Sequence, residues 1–213
     1  MKIERTLNLD KELENVKTVG IAGHIRPDGD AVGSCVGLAW YLRQNYPEVQ
    51  VTVYLEKIPD SYCMISGTDE ICHDYSEEKV YDLFFSLDCA DEKRLGEGRK
   101  FLNAAKRSIC IDHHISNSGF ADQNCIYPDA SSTSEIVFNL LDEDKITFES
   151  AEALYMGIVH DTGAFRHSCT SPETMEVAAK LMRFGVRCSE IISDTYYDKT
   201  YHQNQILGRA LLE

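Results

Sequence analysis

The chain has 213 residues, 43% hydrophobic and 26% charged, with a formal net charge of −14. These values suit one globular core with room for a small extra unit; they exclude a disordered chain, and no apolar run approaches the roughly 18 residues of a bilayer span. A surface this acidic does not attract long nucleic acid by its general field, so a phosphate-bearing substrate needs cations supplied locally.

Taken in chain order, short apolar runs alternate with amphipathic stretches. "VKTVGIAGH" (16–24) predicts a buried strand. "DAVGSCVGLAWYLRQNY" (30–46) carries apolar residues at helical spacing and is closed by Pro47. "VQVTVYLE" (49–56) and "VYDLFFSLDCA" (80–90) predict the second and third strands, "GEGRKFLNAAK" (96–106) a helix and "RSICID" (107–112) a fourth strand. "CIYPDASSTSEIVFNLLDE" (125–143) holds a short strand, a polar turn and a helix with a Ser/Thr-rich start. "ESAEALYMGIVHDTGAF" (149–165) predicts a helix that stops at Gly163. "SPETMEVAAKLMRFG" (171–185) has Ser171 as N-cap, Pro172 at the first helical position and Gly185 as stop. The tail from Ser189 stays helical in character and ends on apolar Leu211 and Leu212, which calls for further chain or a partner to pack against, a second copy included. The alternation predicts an α/β layout with a mainly parallel sheet flanked by helices.

The charged N-terminus shows no apolar signal segment, which points to a soluble cytoplasmic protein. Eight cysteines without any C-x-x-C pair read as small free thiols, several of them buried, and not as a zinc site or a disulfide framework.

Chemistry-bearing residues fall in four clusters: "GHIRPDGD" after the first strand, "SLDCAD" ending the third, "CIDHH" ending the fourth, and "IVHDTG". Ligands of open α/β sheets bind beyond the carboxyl ends of strands, so these clusters can share one crevice. Imidazole and carboxylate without thiolate suit Mn²⁺, Fe²⁺ or Mg²⁺. Pro27 and Gly29 keep His24 and Asp28 on a loop, and Asp28 and Asp30 can then face opposite sides, one toward each of two cations about 3.5–4 Å apart that clamp a phosphoryl group. Each residue also has an ordinary reading: Asp30 as a helix N-cap with Asp28 in a turn, Asp88 as a turn carboxylate, and His113 and His114 as a solvated loop start. Asp91 reads as a turn residue and His160 as a packed or supporting group. His73, His167 and His202 read as surface or core residues. Asp161 ends an apolar stretch and needs a partner.

"HIRPDGDAVGS", "SLDCADEKRLG", "IDHHISNSGFAD", "YPDASSTSEIV" and "GIVHDTGAFRHS" occur in this order. Together they resemble the DHH phosphoesterase family, in particular its nanoRNase and 3′-phosphoadenosine 5′-phosphate (pAp) phosphatase branch. The resemblance implies a Rossmann-like catalytic domain over residues 1–190, a helical linker over 191–213, and a dinuclear Mn²⁺ site. One metal would take His24, Asp28 and Asp88; the other would take Asp30, Asp88, His113 and Asp161. It implies that His114 polarises the substrate phosphate and that Asp112 orients a neighbouring histidine. Implied substrates are short oligonucleotides, linear dinucleotides or pAp, not long duplexes or membranes; a homodimer is one expected assembly. Two features depart from the family pattern. The chain ends where a substrate-gripping C-terminal domain with a glycine-rich motif is expected, and His160 stands where a small residue is expected. Alternatives are a pyrophosphatase or polyphosphatase of the same superfamily, or a metal-binding module that is catalytically weak alone.

Overall fold

The computed structural model describes residues 7–198 and 201–212. After a short helix α1 (Leu9–Glu12), the strand β1 (Thr18–Ala22) leads into α2 (Gly29–Asn45), and β2 (Gln50–Tyr54) follows. Then come β3 (Leu83–Leu87), α3 (Arg99–Ala104), β4 (Ser108–Asp112), β5 (Gln123–Ile126), α4 (Thr133–Leu140), α5 (Phe148–Asp161), α6 (Pro172–Met182), α7 (Cys188–Glu190) and α8 (Tyr201–Ala210). The five strands form one parallel sheet in the order β2-β1-β3-β4-β5. This order reverses direction at β1, so the crevice beyond the carboxyl ends of β1 and β3 is the topological switch point where such sheets bind ligands.

Side chains alternate between the two faces of the sheet. Val19, Ile21, Leu83, Phe85, Leu87, Ile109 and Ile111 join the larger core with α2, α4, α5 and α6. Ala22 and Phe84 face a smaller core with Tyr54, Tyr81, Phe101 and Leu102, against α3. Burial on both faces explains why β3 and β4 read as near-continuous apolar runs.

The central helix α2 is buried from Gly29 through Ala39. It meets α5 at very short range through glycines spaced one turn apart. A Cβ on Gly33 would lie 2.5 Å from the Ala153 carbonyl oxygen and 2.8 Å from the Gly157 nitrogen. The Ser150 hydroxyl of α5 donates to the Gly37 carbonyl oxygen at 2.8 Å.

Several boundaries differ from the sequence expectation. The helix expected over 96–106 is a 3₁₀ turn, Glu92–Gly98, followed by α3, because Gly96 takes a positive φ of 54° and breaks the run. Helix α5 ends at Asp161 and not at Gly163. Thr162 turns its hydroxyl back to the Ile158 carbonyl at 2.6 Å and accepts the Phe165 amide at 3.0 Å, and residues 163–165 take positive φ. Helix α6 has the expected Ser171 cap, Pro172 start and positive-φ Gly185. In the tail, α7 continues into a π-helical segment, Ile191–Tyr197, whose Ile191 and Thr195 are buried. The expected helical tail also passes through 199–200, outside the described residues. Among the described residues no helix is long and apolar enough to cross a membrane.

Gly33→Ala is expected to lower stability by about 1–3 kcal/mol, because both neighbouring atoms are backbone and cannot yield. Gly208→Ala in α8, where a new Cβ meets nothing within 4 Å, should leave the midpoint unchanged or slightly raised. Thermal denaturation followed by circular dichroism checks both, with about 2–4 °C per kcal/mol.

Candidate metal centre

The loop after β1, the end of β3, the end of β4 and the end of α5 bring all the sequence-predicted residues to one place. Three groups of donor atoms, each lying within 4.8 Å of one another, are formed by His24, Asp28 and Asp88, by Asp30, His113 and Asp161, and by Asp88, His113 and His114. Asp88 sits at the centre. One of its oxygens, Oδ2, lies 3.5 Å from His24 Nε2. The other, Oδ1, lies 3.6 Å from His113 Nε2 and 3.7 Å from His114 Nδ1. Asp88 takes a φ of +55°, an uncommon conformation that aspartate tolerates better than most residues.

Asp28, not Asp30, is the N-cap of α2. Its Oδ1 accepts the amides of Asp30 and Ala31 at 3.1 Å each, which leaves Oδ2 facing His24 Nε2 at 3.4 Å. His24 Nδ1 is 2.8 Å from the Ile25 carbonyl oxygen. That bond takes the Nδ1 proton and presents Nε2 to the site. His113 Nε2 lies 3.0 Å from Asp161 Oδ2.

Asp30 is fully buried and is met by the start of another helix. The first two amides of α4 donate to it, Thr133 at 2.7 Å and Ser134 at 2.9 Å. The Thr133 hydroxyl donates to Asp88 Oδ1 at 3.2 Å. This role of α4 was not visible in the sequence, where "SST" before an apolar helix signals only a local cap. Ser132 does fill that cap, accepting the Glu135 amide. Asn117 was missed as well: its amide donates to Asp112 Oδ2 at 2.7 Å and to the Cys89 carbonyl oxygen at 2.9 Å.

Asp112, buried at the end of β4, accepts from His114 Nδ1 at 2.7 Å. His114 Nε2 is thereby the ring nitrogen left over, on a side chain about one-third exposed at 32%. His160 joins none of the donor groups. Its ring lies edge-on to Tyr62 and Tyr196, and burial drops its pKa to about 4, so it is neutral. Asp91 caps the 3₁₀ turn after β3, accepting the amides of Lys93 and Arg94. His73 bonds the Leu55 carbonyl, and His167 and His202 are exposed.

The electrostatics are those of a cation site. No Lys or Arg among the described residues pairs with Asp28, Asp30, Asp88 or Asp161. Burial pushes the Asp30 carboxyl well up, and the charges of Asp88 and Asp161 push it further. Asp161 is raised chiefly by burial. Burial opposes charge on His24, but the hydrogen bonds to Asp28 and Asp88 win and raise its pKa to about 10. His113 is likewise raised to about 10 against burial, mainly by Asp161 and Asp30. Asp28 falls to about 2, because the bond to His24 and the helix amides outweigh burial. Converging carboxylates with only imidazoles to balance them are the donor set of a hard or borderline divalent cation, and no thiol belongs to the groups.

Residues 18–158 match the model of the DHH family, N-terminal domain. The chain is 32% identical over 189 residues to the Bacillus subtilis bifunctional oligoribonuclease and PAP phosphatase NrnA, covering 85% of this chain and 58% of that protein. It is 34% identical over 173 residues to the probable NrnA of Streptococcus mutans, covering 78% and 53%. The chain thus spans a little over half the length of these relatives. Among solved structures, an exopolyphosphatase-related protein from Bacteroides fragilis superposes with a TM-score of 0.86 at 27% identity, over 96% of this chain and 64% of that one. A putative family II inorganic pyrophosphatase from Methanococcus jannaschii shares the fold, with a TM-score of 0.61 at 18% identity over 82% of this chain and 60% of that one.

The Asp112 hydrogen bond is the largest cause of the raised His114 pKa. Asp112→Asn is therefore expected to lower the His114 pKa, measured by imidazole NMR titration of the metal-free protein.

Proposed function

The chain belongs to the DHH family, and from the geometry of its site we propose that it is a divalent-metal phosphoesterase, with Mn²⁺ the favoured ion. The proposed substrates are small nucleotides: short oligonucleotides, linear dinucleotides or pAp. The carrying observation is the splitting of Asp88, whose two oxygens face two separate groups of imidazole and carboxylate donors. His24, Asp28 and Asp88 would hold one cation, and Asp30, Asp88, His113 and Asp161 the other. Bound there, the cations supply positive charge for the phosphoryl oxygens and acidify a water nucleophile.

The remaining roles belong to the chain itself. Thr133 and the first amides of α4 orient Asp88 and Asp30. Asn117 holds Asp112, and Asp112 holds His114 by Nδ1, which leaves Nε2 available. With Nδ1 bonded to Asp112, Nε2 is the ring nitrogen that would donate to a phosphoryl oxygen as negative charge develops there, and the Asp112 bond raises the pKa of the ring. Residues 1–190 would form the catalytic unit and 191–213 a helical connection. A cytoplasmic location and a homodimer, the latter drawn from the apolar side chains that α8 exposes, complete the proposal. Likeness to the Bacteroides fragilis protein favours one alternative, hydrolysis of polyphosphate or pyrophosphate. A metal-binding module that is weakly active alone is another.

Incubation with Mn²⁺ and, in parallel, a labelled dinucleotide, pAp and pyrophosphate separates these readings. Release of mononucleotide, or of phosphate from pAp, is expected; phosphate from pyrophosphate alone sinks the nucleotide reading, and no turnover despite bound metal supports the module. His114→Ala should lose at least about 100-fold in turnover while retaining metal, the size typical of removing a well-placed transition-state donor. Because His24 and His113 hold protons when metal-free, metal uptake should release about two protons near pH 7 and tighten as pH rises. Calorimetry in buffers of different ionisation enthalpy measures that release.

A further inference from the structure

Beside the donor cluster lies a groove of about 630 Å³ whose walls include Tyr62, His160 and Tyr196 and whose rim carries Asp60, Asp194 and Asp198. Its size is that of a small-molecule site. His160 connects it to the metal centre. The residue precedes Asp161, and its ring presses on Gly29, between Asp28 and Asp30, so closely that a Cβ there would lie 2.1 Å from His160 Cγ. A ligand in this groove therefore sits next to whatever the donor cluster holds.

The polar atoms of the His160 ring are used up. The Thr195 hydroxyl gives its proton to the Ile191 carbonyl oxygen at 2.6 Å, so it can only accept from His160 Nε2, 3.0 Å away. His160 Nδ1 then faces the Tyr62 hydroxyl at 3.4 Å. The ring is left as a wall, with Tyr62 edge-on at 5.1 Å and Tyr196 edge-on at 5.5 Å. The wider turn of the π-helical segment Ile191–Tyr197 carries both Thr195 and Tyr196, and such turns are concentrated at functional sites. Asp60, Asp194 and Asp198 are exposed, and none forms an ion pair among the described residues.

We propose that this groove is a nucleobase subsite, resting on the phosphoesterase reading above: it takes the base of the nucleotide whose phosphate lies at the donor cluster. Aromatic walls offer sequence-tolerant stacking. Free carboxylates on the rim accept from exocyclic amino groups and offer nothing to the carbonyl that uracil presents instead. The subsite therefore favours adenine and cytosine over uracil. An acidic rim repels the phosphate itself, which keeps the anionic end of the substrate at the cations and the base in the groove.

The test is calorimetric binding of AMP, CMP, UMP and ribose 5-phosphate to the full chain with Mn²⁺, alongside hydrolysis of bis(p-nitrophenyl) phosphate, which carries no base. AMP and CMP are expected to bind about 5- to 150-fold tighter than ribose 5-phosphate, the range that one stacked base contributes. Tyr196→Ala should abolish that advantage and Tyr196→Phe should keep it. Asp194→Asn, an exposed change with little bearing on folding, should narrow the preference for AMP over UMP. Equal affinity for AMP and ribose 5-phosphate, or an advantage that survives Tyr196→Ala, overturns the subsite; an unchanged AMP-to-UMP ratio in Asp194→Asn overturns the role of the rim. A base-dependent advantage without hydrolysis of bis(p-nitrophenyl) phosphate supports the subsite and counts against the phosphoesterase reading alone.

Discussion

The crossing of α2 and α5 is made where neither helix has a side chain to interpose. At Gly33 and Gly157 the two backbones touch, and at Gly37 a hydroxyl from α5 bonds the α2 carbonyl. The close approach sets the site as well as the core. Asp30 lies at the start of α2 and Asp161 at the end of α5, and both reach His113 only because the helices meet at this range. The third partner, α4, uses the same gap: a Cβ on Gly157 would lie 1.9 Å from Ser134 Oγ and 2.7 Å from Asp30 Oδ1. One missing side chain thus lets three helices converge on one carboxylate.

That convergence carries an electrostatic cost, since several carboxylates sit together with little water to solvate them. The fold answers with partial charges. The amino end of α4 points its first two amides and its helix dipole at Asp30, and the amino end of α2 receives Asp28 as a cap. Three imidazoles add proton-dependent positive charge around Asp88, Asp28 and Asp161. What is left over is a strong demand for cations. The field at the cluster is thus set by this local arrangement and not by the net charge of −14.

His114 shows how a strand end fixes the orientation of a side chain beyond it. Asp112 is the last residue of β4, buried and anchored by Asn117, so its carboxylate is a rigid acceptor. The histidine two residues later is held by one nitrogen and free at the other. His113, between them, reaches Asp161 at 3.0 Å, while its ring stays 4.8 Å from that of His114 and both rings approach Asp88 Oδ1.

Much of this was legible in the chain itself. Apolar runs marked β1 to β4, whereas β5 begins on polar Gln123 and Asn124, ahead of the stretch expected to hold it; Ser171, Pro172 and Gly185 framed α6, because burial and capping act over a few residues. The four clusters announced a His/Asp site, because strand ends and turns are where polar residues interrupt apolar runs. Tertiary structure decided the rest. Asp28 and not Asp30 became the cap of α2, since Asp30 is claimed by amides 103 and 104 residues away. Thr133, Ser134 and Asn117 looked like ordinary cap and loop residues, and they became supports of the site only when α4 and the loop after β4 were packed against Asp88 and Asp112. His160 could be read as packed, but its pairing with Thr195 and Tyr62 joins residues 35 and 98 positions away. Local sequence specifies periodicity, caps and turns; partners drawn from distant segments are chosen by how closely helices pack.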